Sequence, residues 1–308
     1  MNMKNLVGDG VVDDTDAIQQ LLDTGAPLVY LPPPKRHYLI SRTLKIGSNQ
    51  ELRLDRFSVI RLAPKSDCPM LENRAYREGR DVRLAVTGGI WDADNVRQTG
   101  NFQQLPGGRA HAPKSFDPDF FIGMAMRFNH VEEMRVSGVT VRNPVSYGIA
   151  FGHAAYVVVE DVAFDYNAWN PIPLNMDGVH FDGCCHHLRI ANLRGTCFDD
   201  IVVEDVFAAK ANVPAECGGE SYRNPMEVIH LQGPIDVGNL VVERLYRDED
   251  CLPASTVGVD EQATVENLVV RDCRQTNRLD KPVKFIDNRG RIDKLIAENN
   301  VFRGEWIV

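Results

Sequence analysis

Asp177 and Asp199 stand 22 residues apart, and Asp199 is followed directly by Asp200. Carboxyl groups are the usual acids and bases of bond hydrolysis, and two such sites become useful together only if the fold brings them close. Adjacent parallel strands lie ~4.8 Å apart, so a separation of about one structural repeat would gather three carboxylates on one patch. Crowded carboxylates push each other's pKa values apart, which lets one hold a proton beside an ionised neighbour. His230, in Val228-Ile229-His230-Leu231, is a further candidate, read equally well as a site residue or as a satisfied strand histidine. Asn175, His180 and Asp260 supply polar groups for binding a substrate, and Trp91 and Trp169 supply flat faces that stack on sugar rings or pack in a core.

The elements that position these residues repeat. A template of apolar, any, apolar, any, any, apolar recurs in Leu52/Leu54/Phe57, Met134/Val136/Val139, Val157/Val159/Val162, Leu188/Ile190/Leu193, Leu240/Val242/Leu245 and Leu268/Val270/Cys273. Leu84/Val86/Gly89 and Leu295/Ala297/Asn300 match it loosely, and with the 50- and 52-residue intervals read as double steps the mean spacing is about 27 residues. Three-residue alternation is a short half-buried strand. Strands too short to bury a face alone, at a fixed period, mark a solenoid. Valine-rich template positions and the missing i, i+3, i+4, i+7 stripe disfavour helical repeats. The expectation is one all-β domain over 1–308, a right-handed parallel β-helix of about ten coils. Its end is covered by a helix over 13–25, capped by Asp14 or Thr15 and stopped by Gly25. Two stretches that break the rhythm, 92–123 and 208–225, are expected to wall a cleft.

Composition narrows the function classes. The 308 residues are 44% hydrophobic and 25% charged, with a net charge of -9, enough for a large core. An acidic chain with no basic run is a poor polyphosphate binder, so nucleic acid is not an expected partner. No apolar stretch approaches a transmembrane length. The N-terminus lacks a signal-peptide pattern, which points to the cytoplasm unless a leader has been removed. Seven cysteines without paired spacing suggest reduced, partly buried thiols. No phosphate loop or serine elbow is present, and His186, His187 and His180 lack metal-ligand spacing with a carboxylate, so no metal or cofactor is expected.

Asn175-Met176-Asp177 followed about one repeat later by Asp199-Asp200 resembles glycoside hydrolase family 28, the polygalacturonases and their relatives. Gly8-Asp9-Gly10 with Asp13-Asp14-Thr15 and Ala17-Ile18 looks like the N-terminal cap of pectin-active β-helices, and Gly88-Gly89-Ile90-Trp91-Asp92 looks like that family's Gly-Gly-x-x-Asp turn. The resemblance covers most of the chain. It implies inverting hydrolysis of a glycosidic bond, with Asp199 as acid and Asp177 and Asp200 as the base that activates water. Inverting pairs need ~6.5–9.5 Å between carboxyls, which side chains diverging from neighbouring coils can span.

The chain also departs from that family. Its Gly-His-Gly segment has no counterpart, His230 being the nearest histidine, and its Arg-x-Lys falls near Gly258-Val259-Asp260, which has no base. In the family those cations hold a uronate, so their absence argues against plain polygalacturonate. Two other functions fit the same fold: a polysaccharide lyase, and a non-catalytic carbohydrate-binding or phage tail module. In each the partner is an oligo- or polysaccharide.

Overall fold

The structure is a computed structural model of the 308-residue chain. It describes residues 6–99, 123–167, 176–182, 185–196, 207–208, 229–231, 236–249, 255–277, 284–302 and 305–307. Short strands follow one another around a coil and pair, all in parallel, with their counterparts in the next coil. One coil runs through Val131–Ser137, Thr140–Arg142 and Ile149–Gly152, and the next through Ala155–Glu160, Ala163–Asp165 and Val179–Asp182. Their stacking makes three sheets of six, ten and five strands, and four- and three-stranded sheets carry the pattern toward the C-terminal residues. Parallel crossovers of this kind turn to the right.

The repeat template is visible in the register. Leu84, Met134, Val157 and Leu188 face one another across the six-stranded sheet, as do Val86, Val136, Val159 and Ile190. Between the second and third apolar positions the chain must bend from one sheet to the next. The residue there is Gly88, Gly138, Asp161, Asn192, Arg244, Asp272 or Asn299, each with φ between 50° and 73°. Glycine, asparagine and aspartate tolerate that left-handed conformation best, the latter two because their short polar side chains bond locally. Past the bend, Val139, Val162, Leu193, Leu245 and Cys273 return to the core. Phe57 does not. It is 75% exposed, because the Asp55 carboxylate accepts its N–H (3.2 Å) and the Asp55 carbonyl accepts that of Ser58 (3.0 Å) in a tight turn. Ser58 takes the inward place.

Inside the coils Phe128, Phe151 and Phe181 stack with ring centroids 5.5 and 5.0 Å apart. At the corner between the five- and six-stranded sheets a second stack, His130 on His153, faces outward at 4.9 Å and 7° between planes. Burial, and then the charges of His153 and Arg80, hold the His130 imidazole below its usual range. An unfolded histidine titrates near ~6.5, so in the acid interval below that value the unfolded chain binds the proton and the folded chain resists it. The stability this site contributes is therefore present above pH ~6.5 and lost as pH falls through the lower folded value. Urea midpoints at pH 7.5 and pH 5 should show the loss, and His153→Gln should shrink it.

The helix spans Thr15–Asp23, shorter at both ends than the pattern suggested, and buries Ile18, Leu21 and Leu22. Gly25, at φ 68°, follows its last turn as expected. The capping differs. Asp14 occupies the N-cap position, but its fully buried carboxylate turns away and accepts the N–H groups of Val7 (2.8 Å), Gly8 (3.2 Å) and Leu39 (3.4 Å). Asp13 accepts the Thr15 N–H instead (2.9 Å), and its other oxygen accepts the Ser41 hydroxyl. Gln19 bonds both backbone groups of Lys45 on the neighbouring strand. The N-terminal aspartates thus tie the entering chain, the helix and the strand Tyr38–Ile40 together. Burial, then the nearby Asp14 charge, pushes the Tyr38 phenol up to about 12.

Of the expected cleft walls, 100–122 and 209–225 lie outside the described residues. The start of the first is regular: Asp92 ends the strand Ile90–Asp92, and Asn95–Arg97 form a 3-10 turn. Cys68 and Cys185 are half-buried and Cys273 is buried.

Candidate functional site

Asp177 leads into the strand Val179–Asp182, the last described strand of the five-stranded sheet. Its main chain is held from two directions: its carbonyl accepts the Gly148 N–H (2.9 Å) and the Tyr166 hydroxyl (3.0 Å). No larger residue fits beside it. A Cβ on Gly148 would lie 2.1 Å from the Tyr166 oxygen, and one on Gly178 would meet the Phe164 ring at 2.9 Å. The Asp177-Gly178 pair is therefore a close-approach device that fixes the carboxylate's origin.

The carboxylate is largely covered, with 9% of the side chain exposed, and its Oδ2 lies 3.1 Å from Nδ1 of His180, which is 27% exposed. The imidazole also lies against the Tyr147 ring, with centroids 4.5 Å apart and planes at 43°. Register puts Tyr147 in the coil before Asp177, and Arg127, Ala150 and His180 in one row across three strands. Met124, Tyr147 and Ala150 form a small buried cluster of their own, apart from the core inside the coils. Farther along the row Glu72 pairs with Lys45 (3.1 Å) and Arg127 (3.2 Å), and the Arg127 guanidinium lies over the Tyr76 ring at 4.5 Å. This outer strip thus runs from an ion-paired end, across an apolar floor, to an Asp–His pair.

A carboxylate behind a neutral imidazole selects its tautomer: with Asp177 ionised, Nδ1–H donates to Oδ2 and Nε2 is left as the acceptor. By sequence Asp177 groups with Asp199 and Asp200, and its pairing with His180 was missed. Tyr147 and Tyr166 were also missed. The available signal was Tyr147-Gly148 standing in the position of Asp177-Gly178 one coil earlier.

Trp91 is not a sugar platform. It is fully buried, belongs to the core within the coils, and donates its indole N–H to the Gly88 carbonyl (3.3 Å). Asp92 beside it is 2% exposed and accepts both Nε (3.0 Å) and Nη2 (2.7 Å) of Arg61, so the Gly-Gly-x-x-Asp turn is structural. Asp260 is half-buried and held by Arg289 at 2.5 Å, and Arg289 also approaches Asp287 at 3.5 Å. The position that seemed to have no base therefore receives a cation from the next coil, already matched by carboxylates. His230 lies in the strand Ile229–Leu231, in register with Gly258. Asn175, Trp169, Asp199 and Asp200 lie outside the described residues.

No protein-family model matches the chain, and no curated protein does. Solved structures do. A tailspike protein mutant of the E. coli bacteriophage HK620, in complex with a pentasaccharide, is similar at 13% identity and TM-score 0.55, over 97% of this chain and 55% of that one. The A-module of the Azotobacter vinelandii mannuronan C-5 epimerase AlgE6 is similar at 13% identity and TM-score 0.51, over 98% and 95%. The ORF18 protein of Geobacillus virus E2 is similar at 12% identity and TM-score 0.51, over 96% and 59%. The likeness is one of fold. That fold is the right-handed parallel β-helix, and no enzyme family is shown. The chain spans little more than half the length of the two viral proteins.

Proposed function

We propose that the protein is an inverting glycoside hydrolase acting on an oligo- or polysaccharide, built as one β-helix of about ten coils with the helix Thr15–Asp23 covering its end. The observation that carries this reading is the Asp177–His180 pair, anchored on the outer strip of the five-stranded sheet. In the sequence Asp199-Asp200 follows Asp177 after 22 residues, about the length of one coil. Asp199 is the acid that protonates the leaving oxygen. The base side, with Asp200, is the Asp177 site. Asn175, Trp169 and His230 border the sugar, and 92–123 and 208–225 wall the cleft. The pentasaccharide-bound tailspike and the mannuronan epimerase give the fold two precedents for carbohydrate as ligand or substrate.

Charge balance bears on the substrate. Lys45 and Arg127 are matched by Glu72, and Arg289 by Asp260 and Asp287, within a chain of net charge -9. A neutral sugar at the scissile position suits that surface better than a uronate. Incubation with defined oligosaccharides, followed by product mass, should show a gain of about 18 Da per cleavage, whereas elimination adds no water. Polygalacturonate should be turned over slowly or not at all. Glycan binding without cleavage, surviving alanine at Asp177, Asp199 and Asp200, would mean a binding module instead.

A further inference from the structure

We infer that His180, and not Asp177, takes the proton from the attacking water, with Asp177 acting behind it. The inference rests on the hydrolase reading and names the reacting atom on its base side. Two groups meet there, and they are not equally accessible: Asp177 has 9% of its side chain exposed, His180 27%. The one contact between them uses Asp177 Oδ2 and His180 Nδ1 at 3.1 Å. A covered carboxylate bonded to Nδ1 of a more open imidazole is the arrangement in which the carboxylate orients and the imidazole reacts. The rest of the site fixes that geometry. Gly148 and Tyr166 hold the Asp177 main chain, the crowding at Gly148 and Gly178 prevents it from shifting, and the Tyr147 ring limits rotation of the imidazole.

The step balances without an added reactant. The oxygen of water forms a bond to the anomeric carbon while one of its protons passes to Nε2 of His180. The bond from that carbon to the leaving oxygen breaks, its electron pair stays on the oxygen, and Asp199 supplies the proton. The imidazolium so formed is stabilised by the ionised Asp177 carboxylate. It then loses its proton to solvent, and Asp199 regains one.

The test uses full-length protein and a glycan that the unaltered protein cleaves. His180→Ala should lower kcat by ~10²–10⁴-fold with little change in KM, and added imidazole should restore at least about tenfold of the loss, because the deleted ring leaves a space of its own shape. His180→Gln should be as slow and should not respond, since the glutamine fills that space. Asp177→Asn added to His180→Ala should cost no more than His180→Ala alone, because the two act as one unit. A His180→Ala variant within threefold of the unaltered rate overturns the assignment. So does a loss that imidazole leaves untouched while the melting temperature falls, which is the mark of a structural histidine. If the unaltered protein binds glycans but cleaves none, the hydrolase reading itself fails and takes this assignment with it. A cleaving protein indifferent to His180 removes the assignment alone.

Discussion

Asp199→Asn should cut turnover of a natural glycan by ~10²–10⁴-fold, the usual contribution of one general acid, while leaving the melting temperature almost unchanged. The natural leaving group is a sugar hydroxyl, too basic to depart without a proton. An aryl glycoside with an acidic phenol leaves readily by itself, so the same variant should keep much more of its activity on that substrate. Loss at the water-activating side behaves differently. Asp177→Asn disturbs the partner of His180, and attack by water is needed whatever the leaving group, so it should be slow on both substrates. Proton NMR at early times should show product of inverted anomeric configuration. Retention of configuration, or full activity of Asp199→Asn on the natural glycan, removes the assignment of acid and base.

Asp14→Ala should be the most destabilising single change among the N-terminal aspartates. The carboxylate is fully buried and is the acceptor for the N–H groups of Val7, Gly8 and Leu39. Each buried donor left without a partner costs about 1–3 kcal/mol, so the loss should reach roughly 3 kcal/mol or more, and a fall in melting temperature of about 5–10 °C for a chain of this size. Asp14→Asn keeps one acceptor oxygen and the shape, and should lose much less. Asp16→Ala is the control: Asp16 is exposed and pairs with Arg42, which is exposed too, an interaction worth little in water. Thermal melts of the three variants decide the matter. Equal melting temperatures for Asp14→Ala and Asp16→Ala would show that the network does not hold the N-terminal end together.

The fold was legible because its cause is periodic. Each coil repeats one burial pattern, so the valine-rich template showed both the strands and the residues past the bend, Val139, Val162 and Cys273 among them. The site was legible only as far as local spacing reaches. Asp177 and His180 share a segment and could be singled out together, but that one carboxylate covers itself with the other's ring depends on Gly148, Tyr147 and Tyr166, contributed by other stretches of the chain. Trp91 was left open between sugar platform and core for a related reason. A tryptophan on a strand shows its type and not its face, and here the inward face won because the core within the coils had room for the indole. Arg289 illustrates the same limit, since it meets Asp260 only through the stacking of coils 29 residues apart.

The left-handed residue at each sheet-to-sheet bend has a consequence for how such a chain can change over time. It keeps the phase of the winding at one corner, whether the next coil is the short one from Gly138 to Asp161 or the long one from Gly88 to Gly138. Extra length can therefore be taken up elsewhere in the coil without shifting the partners above and below. Growth by insertion is then confined to the rest of the coil, and a lineage can lengthen one coil while inheriting its winding intact.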